Sequence, residues 1–169
     1  MQSFLDQPEA TFYHICPLEA WDNIDRKGVF GRNNEIYVSR VGEMPVLAAI
    51  AMEQLDQTPD ATGIAVLKIP QALNNFTVEE IFEDYRAPHE KTGPFQNIIR
   101  RSWIPPGHFE TVLKIEFGQH RDFHLDWLNN LAAQANINYP IHYIYQRAKA
   151  LKINRYPELP SWKASDESD

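Results

Sequence analysis

Three side chains in the first quarter of the chain carry groups suited to holding a small polar ligand: His14, Tyr37 and Ser39. An imidazole both donates and accepts hydrogen bonds, so His14 can position a hydroxyl. Tyr37 offers an aromatic face on which a flat cation stacks, with cation–π attraction added. Ser39 adds a hydroxyl two residues on. Taken singly, His14 and Tyr37 each also have a plain structural reading: a core histidine satisfied by a backbone carbonyl and a packed strand aromatic.

Other residues invite chemistry and are outweighed by simpler readings. His89 and Glu90 are an acid–base pair in composition, but they fall in a Pro- and Gly-punctuated stretch that reads as a solvated loop. His120 and His124 are four apart, with Glu116 and Asp122 nearby. The HExxH pattern and a third ligand are missing, so the sequence predicts a helix face and no metal site. Cys16 falls where a helix begins, a place where the dipole lowers a thiol pKa. Without a Cys-His-Asn pattern it reads as a small apolar residue. The aromatic run at 139–148 has helical spacing and reads as packing.

The elements that position these residues follow from periodicity and punctuation. The run TFYHIC, 11–16, reads as a short strand. Pro17 opens a helix with Leu18, Trp21 and Ile24 on one face, and Gly28 stands at its C-terminal cap position. After a GRNN turn, 35–39 reads as a second strand. Pro45 opens an apolar, buried helix over 45–55, and GIAVLKIP, 63–70, is a buried strand. Residues 71–84 read as a short helical turn followed by FTVEEIFED as strand or helix, and 85–95 as loop. Two strands are expected at 96–103 and 108–117, parted by Pro105-Pro106-Gly107, then helices at 119–135 and 140–153. Strands do not alternate regularly with crossover helices after residue 70, which favours a mixed α+β fold over a doubly wound parallel sheet. Neither GxGxxG nor GxxxxGK[ST] occurs.

The block FYHICPLEAWDNIDRKGVFGRNNEIYVS resembles the opening half of the ADP-ribosyltransferase fold, including RNA 2′-phosphotransferases and DNA-targeting ADP-ribosyltransferase toxins. The resemblance is carried by Tyr13-His14-Ile15, Gly28-Val29 and Tyr37-Val38-Ser39, followed by the helix at 45–55 and the strand at 63–70. It implies an α+β fold with a split, mainly antiparallel core over about 11–117; the two C-terminal helices read from the sequence pattern have no counterpart in it and complete a single domain spanning 1–160. It also implies NAD as substrate, bound by His14, Ile15, Tyr37, Ser39 and Arg40. His14 would hold a ribose and Tyr37 would stack on nicotinamide. Such enzymes usually carry a glutamate at the start of a later strand, whose charge stabilises an oxocarbenium-like transition state. Here the Ile104-Pro105-Pro106 corner places that position at Gln96 or Asn97, both uncharged. With His14 and Tyr37 these two complete the candidate catalytic set. The expected activity is ADP-ribose transfer from NAD to a protein or nucleic-acid acceptor, with an antitoxin or protein partner possible. The alternatives are a non-catalytic nucleotide- or protein-binding module on the same fold, or an interaction protein sharing only these short motifs.

Composition narrows the classes. The 169 residues suffice for one domain with a full core. A net charge of −7, from 16 basic and 23 acidic residues, argues against broad nucleic-acid binding. No apolar run approaches a membrane span, and MQSFLDQPEA lacks a signal peptide's basic start. A single cysteine allows no intrachain disulfide and fits a reducing cytoplasm. The acidic tail at 161–169 is expected to be disordered.

Overall fold

The computed structural model describes residues 11–83 and 96–138. These form a mixed α+β domain with four helices and a mainly antiparallel sheet. The strands in chain order are β1 Thr11–Pro17, β2 Val29–Phe30, β3 Ile36–Ser39, β4 Gly63–Pro70, β5 Ile81–Glu83, β6 Gln96–Ile99, β7 Trp103–Ile104 and β8 Glu110–Glu116. The helices are α1 Leu18–Lys27, α2 Met44–Gln57, α3 Gln71–Asn74 and α4 Arg121–Asn138. Six strands make the main sheet in the order β5-β6-β3-β1-β4-β8, and β2 pairs with β7 in a separate ribbon.

The centre of the sheet is built from the most apolar strand. β4 pairs along all of β1, from Thr11 opposite Pro70 to Pro17 opposite Ile64. Its side chains alternate between two cores, as period-2 geometry requires. Ile64 and Val66 join Ile15 and pack against α2 and Leu128 of α4. Leu67 and Ile69 join Phe12, Val38, Ile99 and Ile104 on the opposite face, where Trp21 and Ile24 of α1 pack. α2 contributes six buried apolar residues, in keeping with its apolar sequence.

Gly28 and Gly63 permit close approaches between elements. Gly28 caps α1 at φ 98°, donating its N–H to the Ile24 carbonyl, and a Cβ there would collide with the Ile104 carbonyl and the Trp103 indole. Gly63 brings β4 so near β8 that a Cβ would collide with the Ile115 carbonyl.

The expected strand at 96–103 is in fact two. β6 ends at Ile99, the Arg101 side chain is held by Glu80 and the Asn74 carbonyl, and Trp103–Ile104 crosses to β2. The ambiguous 71–84 resolves into α3, a 3₁₀ turn at Val78–Glu80 and β5. That turn carries a full capping box between Thr77 and Glu80. After the sheet the described residues hold one C-terminal helix, α4, in place of the expected pair; the second, at 140–153, lies outside them. So do residues 1–10, the stretch expected as a loop that contains His89 and Glu90, the aromatic run from Tyr139 and the acidic tail. Among the described residues no helix is long and apolar enough to cross a membrane.

Candidate functional site

β1 and β3 are neighbours in the sheet, yet they meet at a single register position, Tyr13 opposite Ser39. Beyond it the two strands part, and a cleft of about 450 Å³ opens between them. His14 through Pro17 form one edge, and Glu35 through Tyr37 the other. Ala20 and Ile24 of α1 close one side, and Gln54, Gln57 and Thr58 at the end of α2 close the other. The volume lies in the range of small-molecule sites, roughly 300–1,000 Å³.

His14 bridges the gap at the point of parting. Its Nδ1 lies 2.6 Å from the Tyr37 carbonyl oxygen. A carbonyl only accepts, so Nδ1 carries the proton and donates. Burial pulls the His14 pKa below its ordinary 6.5, more strongly than the carbonyl raises it. The imidazole is therefore neutral near pH 7, and its Nε2 is an acceptor. The divergence also leaves the Ile15 carbonyl without a strand partner on that side, and Gln54 Nε2 donates to it at 2.8 Å. The other amide atom, Gln54 Oε1, is buried without a hydrogen-bond partner among the described residues.

Tyr37 lines the cleft and donates its hydroxyl to Glu35 Oε1 at 3.0 Å. The two are two residues apart on an extended segment and so share a face. Glu35 is only 4% exposed. Its backbone is fixed by reciprocal hydrogen bonds with Arg32, both 3.0 Å, around a turn in which Asn33 and Asn34 adopt left-handed φ of 54° and 61°. Arg32 and Phe30 stand exposed at the rim. Phe30 stacks on Trp103 at 6.2 Å, and Trp103 is anchored through its indole N–H to the Lys27 carbonyl at 2.8 Å.

Of the residues singled out by sequence, His14, Ile15 and Tyr37 line this cleft. Ser39, Arg40, Gln96 and Asn97 do not. Ser39 is buried and closes the turn after β3: its Oγ donates to the Val41 carbonyl at 2.9 Å and accepts from the Val41 N–H at 3.0 Å. The Arg40 guanidinium lies over the Phe12 ring and donates to the Thr11 carbonyl at 3.1 Å, at the opposite end of β1. Gln96 and Asn97 sit on β6, opposite Ser39 and Val38, so β3 stands between them and His14. Cys16 is a wall residue whose thiol is pushed up to about 12 by burial, which removes the dipole-activated nucleophile. His124 packs beside Phe117 and Phe123, and no group of three metal-ligating side chains occurs among the described residues.

Sequence reasoning passed over Glu35, Arg32 and Gln54. One signal was available for Glu35: it precedes Tyr37 by two, so a strand that aims Tyr37 into a cleft aims Glu35 there as well. Comparison of the chain with protein-family models, with curated proteins and with solved structures gives no match.

Proposed function

We propose that the cleft between β1 and β3 binds the nicotinamide–ribose end of NAD, and that the protein is ADP-ribosyltransferase-like, transferring ADP-ribose to a protein or nucleic-acid acceptor with release of nicotinamide. One observation carries this reading. His14 and Tyr37, 23 residues apart, meet in one cleft where two central strands of a mainly antiparallel sheet diverge.

The chemistry of the lining supports the same assignment. A neutral His14 with an accepting Nε2 suits a ribose hydroxyl. The Tyr37 ring suits a flat pyridinium cation. Gln54 Oε1 is an acceptor for a carboxamide N–H, and Arg32 at the rim suits a diphosphate. A second reading, a nucleotide-binding module without turnover, draws on the uncharged Gln96 and Asn97 and on their distance in the sheet from His14.

The test uses the full chain with NAD labelled in the nicotinamide ring. Release of nicotinamide by the wild type, lost in His14→Ala and Tyr37→Ala, supports transfer. Stabilisation by NAD against thermal unfolding without release supports the binding module. Absence of both responses overturns both readings.

A further inference from the structure

We infer that Glu35, from the turn that opens β3, is the catalytic carboxylate of this cleft. The inference rests on the NAD reading above and names the residue that supplies the charge Gln96 and Asn97 lack.

Among the described residues Glu35 is the carboxylate of the cleft lining, 4% exposed. Its position is set before any ligand arrives. The Tyr37 hydroxyl donates to Oε1, the Arg32–Glu35 backbone pair closes the turn, and the Gly31 N–H is tied to the Ser102 carbonyl at 2.8 Å. Fixed charge aimed at developing charge is the form of stabilisation that needs no reorganisation during reaction.

The step is a heterolysis. The bond between the ribose C1′ and the nicotinamide ring nitrogen breaks, and its electron pair leaves with nicotinamide as a neutral molecule. Positive charge passes to the ribose, where the Glu35 carboxylate stabilises it. The acceptor's oxygen or nitrogen, or water in its absence, forms the new bond to C1′ and gives its proton to solvent. Glu35 is unchanged at the end.

The experiment compares the wild type with Glu35→Gln and Glu35→Asp, measuring nicotinamide release and NAD binding by calorimetry. Glu35→Gln removes the charge but keeps an oxygen to accept from Tyr37. The expected result is a fall in kcat of about 100-fold or more, the size seen for a lost transition-state stabiliser, with a much smaller change in Kd. Glu35→Asp keeps the charge and withdraws it by one methylene. It decides the matter if Glu35→Gln fails to fold: a kcat loss of about tenfold or more supports the role. An active wild type with kcat within about twofold in the folded variants overturns the role of Glu35 alone. A wild type that neither binds NAD nor releases nicotinamide overturns the NAD reading, and this inference with it.

Discussion

The imidazole of His14 on β1 donates to the main-chain carbonyl of Tyr37 on β3 across 2.6 Å, at the place where the two strands stop pairing. A side chain thus occupies a gap that a backbone hydrogen bond would fill in a regular sheet. It holds the strands at a fixed divergence and fixes its own tautomer.

This bond makes a prediction about pH. The folded His14 pKa lies below 6.5, so the unfolded chain binds the proton more readily. The stability owed to neutral His14 is fully present above about pH 6.5 and is lost as pH falls through the folded value. Side-chain NMR should show His14 as the Nδ1–H tautomer at pH 7 and titrating below 6.5. A titration above 6.5 would contradict the burial argument.

Tyr37→Phe removes the hydroxyl that donates to the buried Glu35 carboxylate. A hydrogen bond to a charged group is worth about 1.5–3 kcal/mol. Urea unfolding should show a loss of about 2 kcal/mol with an unchanged m-value. A change below about 0.5 kcal/mol would mean that Glu35 is satisfied without Tyr37.

Arg101 ties the end of β6 to the capping-box turn. It pairs with both oxygens of Glu80 at 2.9–3.0 Å, donates to the Asn74 carbonyl at 2.9 Å and lies over the Phe76 ring. Its side chain and that of Glu80 are 27% and 23% exposed, so solvent screening reduces the effect below that of a fully buried pair. Arg101→Ala should cost about 2 kcal/mol. Arg101→Lys should recover under half of this, because an ammonium cannot grip a carboxylate at two points.

Cys16 should be inert in the folded protein. With its thiol held up to about 12, an aromatic disulfide reagent at pH 8 should modify it only as fast as the chain opens. The unfolded chain's thiol ionises at its ordinary 9.0, and the folded one only near 12. Its contribution to stability is therefore present below pH 9 and lost as pH rises toward 12. Rapid labelling with no change in rate in mild urea would contradict this burial.

The strongly patterned elements were legible in the sequence. GIAVLKIP is β4 to the residue, because a largely apolar eight-residue stretch that starts at a glycine and ends at a proline has few other uses. Pro17, Gly28 and Pro45 marked helix ends, each through a backbone restriction that does not depend on tertiary context. Tertiary context decided the remainder. Residues 96–103 alternate like one strand, but Arg101 satisfies Glu80 and the chain leaves the sheet. Val29–Phe30 is too short to be seen without its partner Trp103–Ile104. For the cleft, His14 and Tyr37 stood out by residue type. Glu35 resembled any polar residue at the start of a strand. Gln54 was hidden in a helix read for its apolar face, and its role depends on an Ile15 carbonyl exposed only because β1 and β3 diverge.

The central claim is that the β1–β3 cleft holds the nicotinamide–ribose end of NAD. A backbone and histidine-side-chain NMR titration of the full chain with NAD tests it most directly. The account predicts a saturable set of shifts confined to residues 14–17, 30–37 and 54–58, together with the His14 ring, and their loss in His14→Ala. Shifts centred elsewhere, or none at millimolar NAD, would contradict it.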